Sequence, residues 1–249
     1  MRIGVTLPTG HEDAAAAEAD AAGVPFVHVT AVSGAEAAVG AAVATATTAT
    51  RILIGLHIGG ENPVTLAEEI AVLDNLSNGR VGVIAEVGPL DDDSAAEDVA
   101  LLRAALSGRP ISHRGRRWQV PAGLPGHVAP PAVLVTPAPA QLVVPIWVAG
   151  AAANTVGRTL SIPVVAADPA EIDVSDVTAP GRCAIAGDLE TDRRLIVEWA
   201  AAGTTHLLCA LGGTATIAAL ARWLIPEVGM VGFPRVVADA PLPAAWPRT

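Results

Sequence analysis

The chain has 249 residues, 51% of them hydrophobic, and carries a formal charge of −10, with no lysine and no tyrosine. Without lysine there is no Schiff-base aldolase and no lysine-bound pyridoxal phosphate; without tyrosine there is no phenolic acid or base. The acidic balance argues against nucleic acid or an anionic membrane as partner.

The N-terminal "MRIGVTLPTG" reads as a strand, too short and wrongly flanked for a signal peptide, and no apolar run reaches the roughly 18 residues of a spanning helix. The expectation is a soluble, cytoplasmic protein. Buried-strand patterns then recur at 2–7, 26–30, 52–58, 81–87, 145–149, 163–167, 182–186 and 206–211. Helical periodicity fills most of the gaps, at 12–22, 35–48, 64–76, 94–106, 151–160, 192–202 and 214–224, and is weak only after Asp168. The third of these helices is the best punctuated. Asn62 can cap it, Pro63 suits its first turn, and Asn78-Gly79 stops it.

Eight strands alternating with helices predict a single-domain (β/α)8 TIM barrel, with an excursion between the fourth helix and the fifth strand. A doubly wound sheet is disfavoured, because no G-x-G-x-x-G follows the first strand. Active sites of such barrels gather at the C-terminal ends of the strands. Arg80 enters the fourth strand from the opposite end, so Asp74, Ser77 and Arg80 are expected to form a structural clasp.

Other features have plain readings. Arg109, His113, Arg114, Arg116 and Arg117 form one basic cluster, expected on a solvated hairpin. Cys183 and Cys209 are too few for a disulfide framework and are expected as buried, reduced thiols. Trp147, Trp199 and Trp223 are expected in packing roles. No His pair has metal spacing, and no metal site is expected.

"TRILIGLHIGG" followed by "NPVTLAEEIAVLDNLSNGR" resembles the hallmark of the bacterial luciferase-like family of flavin- and F420-dependent oxidoreductases. "EDVALLRAALSGRPISHRGRRWQV", "PAPAQLVVPIWVAG" and "AAAGTTHLLCAL" resemble later blocks of the same family, whose members are typically longer. The resemblance implies FMN or coenzyme F420 at the barrel mouth and an oxidoreductase or monooxygenase acting on a small organic substrate. It also implies a homodimer through the helices after the second and third strands, at 35–48 and 64–76. That first helix is nearly all small residues and needs more cover than one barrel provides.

The resemblance also assigns the site. Thr30, His57, Ile58 and Glu86 lie where strand ends meet the cofactor ring; by their own chemistry His57 and Glu86 are candidate proton handlers, and His57 reads equally as a capped histidine holding a neighbouring loop. Gly150, Ala151 and Ala152 form the turn into a helix that contributes to the cofactor phosphate site, with Ala152 in place of a common serine. The turn at Gly212 and Gly213 offers backbone donors where barrels often bind phosphate. With no lysine, Arg158 or a neighbouring subunit would supply charge there.

The chain departs from the family in two places. A polar pair, often Asp-His, commonly extends the second strand, and Ala31 and Val32 stand there. Glu86 stands where a small residue is common. His28, earlier in that strand, reads as a satisfied core histidine. These departures keep an alternative open, a non-catalytic barrel that binds flavin or serves as a partner subunit.

Overall fold

The computed structural model describes residues 1–30, 34–88, 90–123, 128, 130–173 and 175–224. Ala31 and Val32 therefore lie outside the described residues, as does the side chain of Trp223.

Four βα units open the structure. Strands β1 (Arg2–Thr6), β2 (Phe26–Val29), β3 (Arg51–Ile58) and β4 (Val81–Val87) are followed by helices α1 (Glu12–Ala21), α2 (Glu36–Ala46), α3 (Pro63–Leu76) and α4 (Asp92–Ala105). The excursion carries a small antiparallel hairpin, β5 (His113–Arg114) and β6 (Gln119–Val120), before β7 (Ile146–Gly150) and α5 (Ala153–Leu160) resume the alternation. Then come β8 (Pro180–Ile185), α6 (Leu189–Ala201), β9 (His206–Leu211) and the short α7 (Ile217–Ala219). A π-helical turn, Leu220–Leu224, ends the described chain.

The parallel strands run in the order β7-β4-β3-β2-β1-β9-β8. The expected sixth barrel strand is reduced to a linking segment that joins the two ends of that sheet. Val148 N–H donates to Pro163 (2.9 Å) and Val165 N–H to Val148 (2.8 Å), while Ala166 N–H donates to Pro180 and Arg182 N–H to Ala166 (both 2.9 Å). These bonds close the ring. After the link, only a 3-10 turn (Pro169–Glu171) stands where a full helix would be, in keeping with the weak pattern there.

Side chains alternate across the ring. Odd-numbered residues of β1, β4 and β9 such as Val5, Val83 and Cys209 join Ile54, Val99 and Trp199 in the core between sheet and helices. A second cluster, Phe26, Leu53, Ile84, Trp147, Ala149, Val165 and Leu208, fills the inside of the barrel. Trp147 is thus an interior plug, 5.2 Å from the His206 ring. Cys183 and Cys209 face each other in register with free thiols 3.7 Å apart. Among the described residues, no helix is long and apolar enough to cross a membrane.

The punctuation of α3 follows its sequence. Asn62 accepts from Val64 N–H at 2.9 Å, Pro63 opens the helix, and Asn78 and Gly79 end it with positive φ. The clasp then forms at the entry end of β4. Arg80 is 4% exposed and donates to the carbonyls of Ala44, Thr47, Thr50 and Ser77 and to the Thr47 hydroxyl, at 2.7–3.0 Å. Fully buried Asp74 accepts from the backbone and side chain of Gln141. One guanidinium thus satisfies carbonyls that α2 and the β3 approach would otherwise bury bare.

Replacing Arg80 with methionine leaves those carbonyls unpaired. We expect a loss of about 3 kcal/mol, read as a lower urea midpoint with unchanged slope. A loss below about 1 kcal/mol would contradict the clasp.

Candidate functional site at the barrel mouth

The C-terminal ends of the strands bring the rim residues level with one another. His57 is the register partner of Glu86, Glu86 of Ala149, and Val87 of Gly150. Three neighbouring strands thus present His57, Glu86 and the Gly150 turn side by side. His57 is held by the start of α2, its Nδ1 lying 3.0 Å from Glu36 Oε1, while Glu36 also accepts from Gly34 N–H at 2.7 Å. The His57 side chain is 56% exposed, so its other nitrogen faces the open rim. Ile58 turns the other way, into the helix-facing core, leaving its backbone to the rim.

Gly150 has φ +102°, and a Cβ there would collide with the Val87 carbonyl. Only glycine turns the chain from β7 towards α5 so tightly. Ala152, the cap residue of α5, has no side-chain hydrogen bond to the helix, so the first N–H groups of α5 lack a side-chain cap. Arg158 sits in the last turn of α5, away from that end. It lines a groove of about 710 Å³ outside the ring, near the entry ends of the strands. The expectation that Arg158 supplies charge to the turn does not fit its position.

The second small-residue turn is occupied by the fold. Gly212 N–H donates to Ile185 (2.8 Å) and Thr214 N–H to Ala186 (3.0 Å), tying β9 to the end of β8. The helix that follows is three residues long. Of the two turns, the α5 entry is the better placed for an anion.

The basic cluster lies on the hairpin as expected, paired with acids of α4. His113 meets Glu97, Arg116 meets Asp91, and Arg117 meets Asp98 while also donating to the Gly59 carbonyl at 2.8 Å. The excursion is thereby pinned beside the ends of β3 and β4.

Inside the mouth lies a cavity of about 400 Å³, within the usual range for small-ligand sites. Thr6, His28, Thr30, Arg182, Ala184 and Ala210 are among its walls. Arg182 and His28 were not legible as site residues. Arg182 reaches across from β8 to Glu86, with Nη2–Oε1 at 2.9 Å. His28 is a core residue, 3% exposed, yet its expected satisfaction is only half met. Nδ1 lies 3.3 Å from Thr6 Oγ1, and Nε2 has no partner among the described residues. Gly55 lets it pack closely: a Cβ there would stand 3.3 Å from Nε2 and 4.0 Å from Glu86 Cγ.

Burial, assisted by the positive Arg182, pushes the His28 pKa down to about 3, and burial pushes His206 down to about 4. The folded state therefore holds neutral rings. Since the folded pKa values lie below the unfolded value near 6.5, this contribution to stability is full above about pH 6.5. It is lost as the pH falls towards the folded values. We expect the His28 ring C–H resonance to stay flat between about pH 8 and about pH 5 and stability to decline below about pH 6. A His28 titration midpoint near the ordinary value would contradict its burial.

The profile of the family described as luciferase-like monooxygenase matches residues 8–162, more than half of the chain. The chain belongs to the luciferase-like monooxygenase family. A search of curated proteins finds no match. Among solved structures, the fold resembles monooxygenase RslO1 from Streptomyces bottropensis, at TM-score 0.67 and 15% identity over 92% of this chain and 100% of that one. It also resembles a coenzyme F420-dependent tetrahydromethanopterin reductase from Methanopyrus kandleri, at TM-score 0.65 and 13% identity over 92% of this chain and 99% of that one. EDTA monooxygenase from Chelativorans sp. BNC1 is a longer relative in fold, at TM-score 0.54 and 14% identity; 84% of this chain matches 61% of it. At these identities the structural likenesses speak to fold.

Proposed function

We propose that this luciferase-like barrel is an FMN- or F420-dependent oxidoreductase or monooxygenase that works on a small organic substrate at its mouth. The observation that carries the reading is the level rim, where His57, Glu86 and Gly150 stand on three adjacent strands and Glu86 reaches Arg182 in the wall of the neighbouring cavity. The residues fit a ring-and-phosphate cofactor. The uncapped start of α5, with Gly150, Ala151 and Ala152, suits the phosphate, because backbone donors at a helix N-terminus favour an anion without needing a lysine. Thr30, His57, Glu86 and the backbone at Ile58 are disposed to meet the ring. When bound, FMN or F420 supplies the hydride or electron chemistry that side chains cannot.

The chain's own part is to position and to handle protons. His57, braced by Glu36, keeps one nitrogen at the rim for a hydrogen bond or a proton. Glu86 has its carboxylate at the boundary between rim and cavity, held by Arg182. If both act in turnover, His57→Gln and Glu86→Gln lower kcat far more than they change cofactor affinity.

Glu86 also supports a second reading. Its ion pair with Arg182 crosses space that a cofactor ring would enter, which favours a non-catalytic flavin-binding or partner-subunit role. Fluorescence titration of the purified protein with FMN and with F420 separates the two. Micromolar binding of either supports the redox role, with Gly150→Ala weakening it by about tenfold or more, about 1.4 kcal/mol. Flat titrations with both would overturn it.

We also propose a homodimer through α2 and α3 in the cytoplasm. Val72 and Leu76, one helical turn apart on α3, are 54% and 51% exposed. Sedimentation at micromolar concentration is expected to show a dimer, and Val72→Glu with Leu76→Glu a folded monomer. A wild-type monomer would refute the assembly.

A further inference from the structure

We infer that the mouth cavity selects a small carboxylic acid, whose carboxylate takes the place of Glu86 on Arg182 while His28 hydrogen-bonds a polar group of the same molecule. The inference rests on the redox reading only in naming that acid a substrate; the binding itself requires no cofactor.

The argument begins with what an arginine does inside a barrel. Arg182 lies in β8 on the same face as Ala184, and its neighbours around the cavity are small or hydroxylated. Among the described residues, its side chain makes a single hydrogen bond, one nitrogen to one oxygen of Glu86. A guanidinium has five N–H donors in a planar fork, and its strongest partner is a carboxylate held by two of them. The present pair is therefore an incomplete version of the contact Arg182 can make. It is also replaceable. With side-chain exposures of 39% for Arg182 and 24% for Glu86, the pair is partly solvated, and such pairs are worth little. Glu86 can swing from the cavity to the solvated rim while a ligand carboxylate takes the fork.

His28 gives the second contact. It is among the cavity walls, and its unpartnered Nε2 is buried against Gly55, on the side of Glu86. An unmet polar atom at such depth is destabilising until something pairs with it. Thr6 and Thr30 add hydroxyls to the same wall.

These groups also reject other ligands. A cation would meet the Arg182 charge. A wholly apolar molecule would leave His28 unpaired, and a neutral amide could not displace Glu86. A doubly charged phosphate would face Glu86 and nearby Glu36 in a chain of net charge −10. A singly charged, planar carboxylate matches both the charge and the fork, and Arg182 already holds one in Glu86.

The test uses calorimetry on the cofactor-free chain with acetate, benzoate and 2-naphthoate, and with benzamide as the neutral control. We expect at least one acid to bind wild type, and benzamide to bind about tenfold or more weakly than benzoate. Glu86→Gln removes the competitor and a like charge, so acid binding should tighten by about tenfold. Arg182→Gln should abolish it, and His28→Asn should weaken it. Glu86→Gln keeps the test decisive should the Arg182 variant fail to fold. Absence of acid binding in both wild type and Glu86→Gln, equal affinity for benzoate and benzamide, or acid affinity unchanged by Glu86→Gln would each overturn the inference. Acid binding with flat FMN and F420 titrations would sink the redox reading alone; cofactor binding without acid binding would sink this one alone.

Discussion

The structure depends on the short link at 163–166, whose backbone hydrogen bonds join β7 to β8. Seven parallel strands in an open sheet would leave two exposed edges and no mouth. Once the link is made, strands at opposite ends of the sheet order become near neighbours across the ring. Glu86 in β4 and Arg182 in β8 can then meet although 96 residues separate them. Closure also decides which side chains face inward, and so turns His28 and Arg182 into neighbours of one cavity.

The barrel divides its interior between two kinds of packing. Below, Phe26, Leu53, Ile84, Trp147, Val165 and Leu208 make a dry plug that needs no polar partners. Above it Thr6, Thr30, Ala184 and Ala210 line the cavity together with His28 and Arg182, and Glu86 meets Arg182 from the neighbouring rim. The plug floors the cavity at Leu208. On the opposite face, the Arg80 and Asp74 networks tie α2, α3 and the excursion to the strand entries. The clasp and the candidate site thus sit at opposite ends of the same strands, as barrels generally separate stability from chemistry.

The sequence made legible whatever is written locally. The caps of α3 and most of the apolar strands are encoded by residues a few positions apart and were found where their patterns put them; the clasp at Arg80 was found too, but it closes on Ala44, Thr47 and Thr50, while Asp74 pairs with Gln141. The level of His57, Glu86 and Gly150 followed from strand ends alone. Arg182 was harder, because a charged residue in a strand has meaning only once its inward direction and its partner are known. His28 was readable as buried but not as half-satisfied, since its neighbours Thr6 and Gly55 come from other strands. The Gly212-Gly213 turn looked like the Gly150 turn in composition; the difference is that its N–H groups are engaged by β8.

Amide hydrogen exchange at the closing link tests the ring most directly. A closed barrel predicts that Val165, Ala166 and Arg182 N–H groups are protected to a degree comparable with those of β3 and β4. Rapid exchange at these three amides alongside slow exchange in β3 and β4 would mean an open sheet, and would separate Glu86 from Arg182.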